Sequence, residues 1–501
     1  MDKGGFFLGK PMSIFRSAIL LTVVNLLLRL AGTSFQVFLS ASIGPAGIGL
    51  LQLTMSVGSL AMVAGIGGIR TATMYLTAGE LGRKRPENVT WILSGCFLYS
   101  ILFSGSVAAA LHCFAPLIAE KWIGDPRVLP ALRLFAAFLP CSCLCGVMTG
   151  YFTAAKRIGT LAAVEVAEQL SSMALTMAML VLWAKNDPAR ACLSVVLGSS
   201  LGACLTLACL IVLRLLERPA RGPKIPVRRE LCRTALPLAA ADNLRTGIST
   251  VENLMVPKRL TLNSAVADPL AAFGLISGMV FPVLMFPACI LFGLAELLIP
   301  ELARCHAAGS GRRITYLVQR SLKVAMLYGI FFGGLMYLLA DYLGNRLYSL
   351  PEVGKHLRMY AILIPMLYCD AITDAMIKGM GQQTVSVRYN ILTNTLDVVF
   401  LYLLLPEYGM SGYFISFLVT HVINFVLSLR CLLTITGLRI PIHIPLLSIC
   451  AGAVCCWAVS LISAPLSRLL FFPPLLGSLL YLLQVIRRED FQWLRGLVRK
   501  K

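Results

Sequence analysis

An all-α integral membrane fold of about fourteen transmembrane helices is predicted by three observations. Apolar segments of bilayer-spanning length recur along the whole chain, only 13% of the 501 residues are charged against 58% hydrophobic, and the basic residues gather in alternate connections. The mean hydropathy of +0.81 excludes an ordinary water-soluble globular protein.

About 20 apolar residues cross the hydrocarbon core as a helix, and polar or Gly/Pro-containing connections divide the chain at that interval. Spans one and two, 14–42 and 46–78, part at Gly44-Pro45. The basic loop Arg83-Lys84-Arg85 precedes span three, 88–118, and Glu120 to Pro126 separates it from span four, 128–154. Lys156-Arg157 opens span five, 158–184, and Lys185 to Asp187 precedes span six, 190–216. A long basic connection leads to span seven, 231–257, and Lys258 to Asp268 leads to span eight, 268–300. Span nine, 316–343, and span ten, 356–380, flank the polar stretch Asn345 to Lys355. Spans eleven and twelve, 384–405 and 409–436, part at Pro406-Glu407. Spans thirteen and fourteen, 443–464 and 467–486, complete the array.

The net charge of +21 does not indicate nucleic acid, because the Lys and Arg alternate along the chain. With the N-terminus in the cytoplasm, most of the 44 fall on cytoplasmic connections. The heaviest group, Arg214, Arg218, Arg221, Lys224, Arg228, Arg229 and Arg233, lies between spans six and seven, and a basic tail follows Arg487. This is a topology signal that places both termini in the cytoplasm, with membrane lipids as neighbours of the basic clusters. Lys3 and Lys10 before an apolar run suggest a signal peptide, but Arg29 interrupts the run and helices continue, so an uncleaved first span is expected.

Motifs for chemistry are scarce. The sixteen Cys lie mostly within spans, and Cys141, Cys143 and Cys145 are spaced to spread around a helix, which suits packing rather than a metal. The five His are scattered, without ligand spacing, and no nucleophile elbow or Walker loop occurs. No cofactor, metal or enzymatic activity is expected. Asn88-Val89-Thr90 matches a glycosylation sequon in or beside a cytoplasmic loop, where it has no such meaning.

Two internal comparisons suggest duplication. Gly150 through Glu168 lies over Gly379 through Asp397 without a gap, and Gly44-Pro45-Ala46-Gly47-Ile48-Gly49-Leu50 resembles Asp268 through Leu275. Composition bias is the alternative for each alone. Six spans separate the copies, so both keep one orientation, and a pseudo-twofold along the membrane normal follows. Two six-helix lobes, 1–222 and 223–440, would enclose a central cavity, with 441–501 adding two helices and the tail.

Motifs recur in order through both lobes, from Gly44 to Leu53, through Gly150-Tyr151-Phe152 and Glu168-Gln169, to Val256-Pro257-Lys258-Arg259-Leu260. They continue at Gly278 to Pro282, Phe286-Pro287 and Ile299-Pro300-Glu301-Leu302. In these stretches the chain resembles the stage V sporulation protein B group of polysaccharide exporters. That group belongs to the superfamily of multidrug, oligosaccharidyl-lipid and polysaccharide (MOP) exporters. The resemblance implies alternating access and a lipid-linked saccharide carried to the outer leaflet, an undecaprenyl-pyrophosphate type of precursor for cell wall, spore cortex or another envelope glycan. Relatives that flip lipid II carry further cations in spans one, two and eight. The corresponding stretches here, Phe35-Gln36, Leu60 to Met62 and Pro282 to Met285, are uncharged, which leaves a different glycan open.

Charged residues inside the spans are the candidate site. A charge at bilayer depth is costly and marks a wet, functional face. Arg29 and Arg245 sit on spans one and seven, equivalent under the repeat, and guanidinium groups match the oxygens of a lipid pyrophosphate. Asp242, Arg245, Ser249 and Glu252 follow spacings of three, four and three, a polar stripe on one helical face. A self-neutralising Asp242–Arg245 pair is the alternative, and Arg70 is a weaker substrate contact. Candidates for H⁺ or Na⁺ coupling are Glu165 and Glu168 in span five, Asp370 and Asp374 in span ten, with Lys378 beside them, and Asp397 in span eleven. Hydrogen bonding between helices is the alternative for each. A cation-coupled multidrug extruder and a non-transporting scaffold for envelope synthesis are the competing functions; central arginines disfavour cationic cargo.

Overall fold

The structure, a computed structural model, describes residues 14–83, 85–184, 187–217, 228–438 and 443–486. The basic connection 218–227 and the C-terminal tail from residue 487 lie outside the described residues. Sixteen α-helices hold most of them, with short 3-10 and π-helical segments between and no strand: α1 Ile14–Ile66, α2 Ile69–Gly82, α3 Val89–Leu117, α4 Leu129–Ala154, α5 Ile158–Met179, α6 Pro188–Leu216, α7 Arg228–Leu260 and α8 Pro269–Gly274. Then follow α9 Phe281–Met285, α10 Ala288–Ala307, α11 Gly311–Tyr348, α12 Pro351–Ala361, α13 Ile364–Gly379, α14 Gln383–Thr436, α15 His443–Ser460 and α16 Pro465–Leu482. Nine segments among the described residues are long and apolar enough to cross a membrane, and up to eleven if two bent pairs each form one span. The protein is an all-α, multi-pass membrane protein.

Two helices are too long for one crossing. At 1.5 Å per residue the 53-residue α1 and the 54-residue α14 would each extend about 80 Å, far beyond a ~30 Å hydrocarbon core. Each breaks at a glycine with positive φ, Gly44 at 74° and Gly409 at 53°, a conformation side chains resist. In α14 the break folds the chain back, since Ser416 donates a hydrogen bond to the Asp397 carboxylate nineteen positions earlier.

Spans eight and ten, expected as single helices, are broken. α8 passes through a π-helical segment, Leu275–Val280, into α9, and α10 turns away by 65° after Pro287. α12 and α13 meet at 57° beside Pro365. Proline removes a helix donor and crowds the preceding turn, so these kinks follow from the residue type. Span seven, α7, runs 33 residues but is the least apolar of the long helices, because of its polar stripe together with the charged residues at both of its ends.

Packing divides the chain into two compact units, residues 1–278 with 398–410, and 279–397 with 411–501. The lobes inferred from the repeat are defined differently: α7 joins the first unit because it packs on α1 and α2. In the first unit, Ile69, Ile92, Val147, Phe152, Leu210 and Leu231 from five helices meet in one apolar cluster. In the second, α15 and α16 cover α11, with Phe472, Leu476 and Cys455 buried against Ile330 and Leu338.

Candidate functional site

The first unit carries the cationic candidates. α7 packs on the second half of α1, where Thr250 donates to the Ser56 carbonyl oxygen at 3.2 Å and Asn253 Nδ2 donates to Ser56 Oγ at 3.0 Å. At 100° per residue, Asp242, Arg245, Ser249 and Glu252 form the stripe immediately beside that packing face. Asp242 and Arg245 are exposed and Glu252 is half-buried. Arg29, on the first half of α1, is also exposed, and one turn on Thr33 donates to its carbonyl oxygen at 2.9 Å. No ion pair joins Asp242 to Arg245 among the described contacts.

Arg70 begins α2 and lies exposed, within electrostatic reach of Glu165 on α5, which in turn feels Glu168. Its backbone meets α4 closely: a Cβ on Gly150 would stand 2.5 Å from the Arg70 carbonyl oxygen. The second unit repeats this device, where a Cβ on Gly379 would stand 2.9 Å from the carbonyl oxygen of Ile299 on α10. Gly150 and Gly379 are the residues that the internal comparison lays together.

The aligned acids also have matching environments. Glu168 accepts a hydrogen bond from Thr206 on α6 at 2.7 Å. Asp397, 7% exposed, accepts from Ser416 and, at 3.2 Å, from Thr420, both beyond the Gly409 break. Such hydroxyl bonds join neighbouring helices within the membrane. Asp370 on α13 accepts from Asn424 Nδ2 at 2.9 Å, Asn424 Oδ1 accepts from Thr393 at 3.4 Å, and the other Asp370 oxygen is buried without a protein partner. Asp374 differs, since Lys378 donates to it at 2.5 Å and Ser386 bonds its second oxygen, which compensates its charge.

Sequence reasoning missed one cluster. Glu217, after α6, receives Tyr151 Oη at 2.6 Å and Arg214 at 2.7 Å, and also pairs with Arg157. Arg214 lies 4.5 Å over the Tyr151 ring and donates to its hydroxyl at 2.8 Å. The ends of α4, α5 and α6 are thereby tied through one carboxylate. Spacing alone conceals this, because Tyr151 and Glu217 are 66 residues apart. The Val256 to Leu260 motif also acquires partners: Lys258 donates to the Lys121 carbonyl, and Arg259 stacks 3.2 Å over Tyr402.

The described residues contain no group of His, Cys, Asp and Glu arranged to hold a metal. Cys141 and Cys204 approach at 3.1 Å between α4 and α6, and Cys143 is buried in the packing around Gly65.

Residues 14–267 match the family model described as polysaccharide biosynthesis protein. Stage V sporulation protein B of Bacillus subtilis (strain 168) is 20% identical over 414 residues, covering 80% of this chain and 80% of that protein. The lipid II flippase MurJ in an inward closed conformation matches with a TM-score of 0.70 at 12% identity, over 96% of this chain and 100% of that one. An inward-facing multidrug resistance MATE family transporter of the MOP superfamily matches with a TM-score of 0.64 at 13% identity, over 88% of this chain and 100% of that one. These structural likenesses establish the fold. With the family model spanning more than half of its length, the chain belongs to the polysaccharide biosynthesis protein family, in a fold of the MOP superfamily.

Proposed function

We propose that this protein is a flippase that moves a lipid-linked saccharide precursor of an envelope glycan from the inner to the outer leaflet by alternating access. The observation that carries the reading is the exposure of Arg29 and Arg245 within spans of a polysaccharide biosynthesis family member. A lipid pyrophosphate needs compensating donors while it crosses a low-dielectric region, and two guanidinium groups supply them. Arg70, Asp242 and Glu252 complete the polar surface, Asp242 and Glu252 orienting the guanidinium groups or binding sugar hydroxyls. The similarity to MurJ and to stage V sporulation protein B supports this cargo class over a drug.

Two lobes, 1–222 and 223–440, with 441–501 appended, fit the paired glycines and the paired acids. The energy for transport enters through a carboxylate. Asp397 and Asp370 are best suited, both within hydroxyl and amide networks, and Glu165 and Glu168 are the first-lobe counterparts. Asp374 is the least suited because of Lys378. Either H⁺ or Na⁺ would serve such oxygens. Both termini are assigned to the cytoplasm from the distribution of basic residues.

The test is reconstitution in proteoliposomes with a fluorescent undecaprenyl-pyrophosphate saccharide and, separately, a cationic dye. Movement of the lipid-linked saccharide without dye efflux is expected. Dye efflux without saccharide movement would replace the proposal by the multidrug reading, and neither activity would favour a scaffold.

A further inference from the structure

α14 breaks at Gly409, whose φ of 53° and ψ of −130° disfavour any side chain, and Pro406 crowds the turn before it. A break of this kind strips the carbonyls of the preceding turn of their helical donors, and beside hydrocarbon each needs another. The connection between α7 and α8 supplies them. Asn263 Nδ2 donates to the Pro406 carbonyl oxygen at 3.0 Å and to that of Glu407 at 3.2 Å, while Asn263 Oδ1 accepts from the Ala265 N–H at 3.0 Å. A Cβ on Gly409 would stand 3.3 Å from Val266 and 3.4 Å from Asn263, so the connection is seated directly on the break.

A second hold lies one turn earlier in α7 and two turns earlier in α14, where the Arg259 guanidinium stacks over the Tyr402 ring. No ion pair of Arg259 is among the described contacts, and its Nε is buried without a hydrogen-bond partner there, so the ring face is what holds it. Lys258 anchors the same end of α7 to the Lys121 carbonyl oxygen. Neutral hydrogen bonds and one cation–π contact are strong enough to favour a closed state and weak enough to release it. The arms that meet at Gly409 carry Asp397 on one side and Ser416 and Thr420 on the other. The bend that the connection holds is therefore the bend that brings those donors to the carboxylate. With the N-terminus in the cytoplasm, the ends of spans seven and eleven share the external side.

We infer that Asn263 and Arg259 form the outer latch of the transport cycle. Seated on the Gly409 break and on Tyr402, they hold the external end of α14 closed, and their release opens the path to the outside. The transport cycle and the external side rest on the flippase reading, whereas the contact itself does not. A permanent staple, which never opens, is the competing role.

The test uses the full-length chain carrying Ser249→Cys on the Arg245 stripe, treated in spheroplasts with a membrane-impermeant maleimide. Labelling at position 249 is read by peptide mass spectrometry, which separates it from the native cysteines. Asn263→Cys/Glu407→Cys, oxidised with copper phenanthroline beforehand, bridges the latch shut; labelling from outside should then be lost and should return on reduction. Arg259→Gln, which loosens the latch, should raise labelling about twofold to fivefold, the equilibrium worth of one cation–π contact. Thermal unfolding measured in parallel establishes that this variant folds. In proteoliposomes the same bridge should stop movement of the fluorescent lipid-linked saccharide, reversibly. Labelling that is equal with and without the bridge and unchanged by Arg259→Gln overturns the inference and makes the contact a permanent staple, as does flipping by the bridged protein at the unbridged rate. Loss of labelling on bridging, with no saccharide moved by any form, would retain the latch and remove the flippase reading instead.

Discussion

Gly49 of α1 and Gly274 of α8 pack backbone to backbone. A Cβ on Gly49 would stand 2.3 Å from the Leu270 carbonyl oxygen, and one on Gly274 would stand 2.0 Å from that of Pro45. The contact is reciprocal, each glycine facing the segment that carries the other. These are the segments, Gly44 to Leu50 and Asp268 to Leu275, that the sequence comparison pairs. Membrane helices approach this closely only where small residues allow it.

Gly274→Ala is therefore expected to destabilise the protein by about 1–3 kcal/mol, because the obstructing atoms are backbone and cannot rotate away. Gly105→Ala on α3 is the control, since a Cβ there meets nothing within 4 Å, and it should be neutral or slightly stabilising. Thermal unfolding in detergent distinguishes them. Equal midpoints for the two variants would show that the contact is not tight.

Arg29→Ala and Arg245→Ala should each reduce flipping of a lipid-linked saccharide by about tenfold to a hundredfold, the loss of one charged hydrogen-bonding partner. Lysine at either position should restore only part of the rate, because an ammonium lacks the planar fork. Initial rates in proteoliposomes measure this. Wild-type rates in both alanine variants would remove these residues from substrate binding.

Asp397→Asn keeps an oxygen that can accept from Ser416 and Thr420, so its stability should fall by less than about 1 kcal/mol, whereas Asp397→Ala should cost about 1–3 kcal/mol. If Asp397 couples transport, the asparagine variant folds normally yet loses the dependence of flipping on a Na⁺ or H⁺ gradient. Glu168→Gln provides the first-lobe comparison. Undiminished gradient dependence in Asp397→Asn would transfer the role to another carboxylate.

Outside the spans, the Arg127 side chain beside Asp125 holds its carboxyl below the usual carboxylate range, against a smaller opposing effect of burial, with help from the Arg127 backbone N–H at 2.9 Å. A lowered folded-state pKa contributes stability above the unfolded value of about 3.9, and that contribution is lost as pH falls through the lower folded-state value. The Arg127 side chain is largely solvated, so the pair's contribution should remain below about 1 kcal/mol. Asp125→Asn preserves the N-cap oxygen and removes the charge. Unfolding midpoints between pH 6 and pH 3 should therefore converge for wild type and variant at the acid end. A constant gap across that range would indicate a pH-independent cause.

Much of this architecture is legible from composition because lipid imposes it. Backbone groups in hydrocarbon must bond within their own helix, so apolar length and basic alternation are enough to reveal a multi-pass helical array. The same regularity hides the breaks: spans eight and ten stay apolar across Pro287 and Pro365, and hydropathy does not register direction. It also makes span seven ambiguous by composition, since Asp242, Arg245 and Glu252 lower its apolarity for the reason that makes it interesting.

By itself the sequence determined the membrane class, the helical array, the family resemblance and the short set of intramembrane charges, because each depends on residue type or order along the chain. Only the tertiary structure decided which of those charges are compensated. Asp374 is paired with Lys378 one turn away, whereas Asp397 is held by hydroxyls from beyond the Gly409 break and Asp370 by Asn424 fifty-four positions later. It also brought Tyr151, Arg157, Arg214 and Glu217 together and set Gly49 against Gly274. The physical reason is that hydrogen bonds and backbone contacts act over about 3 Å, a range that only chain folding can bridge between residues distant in sequence.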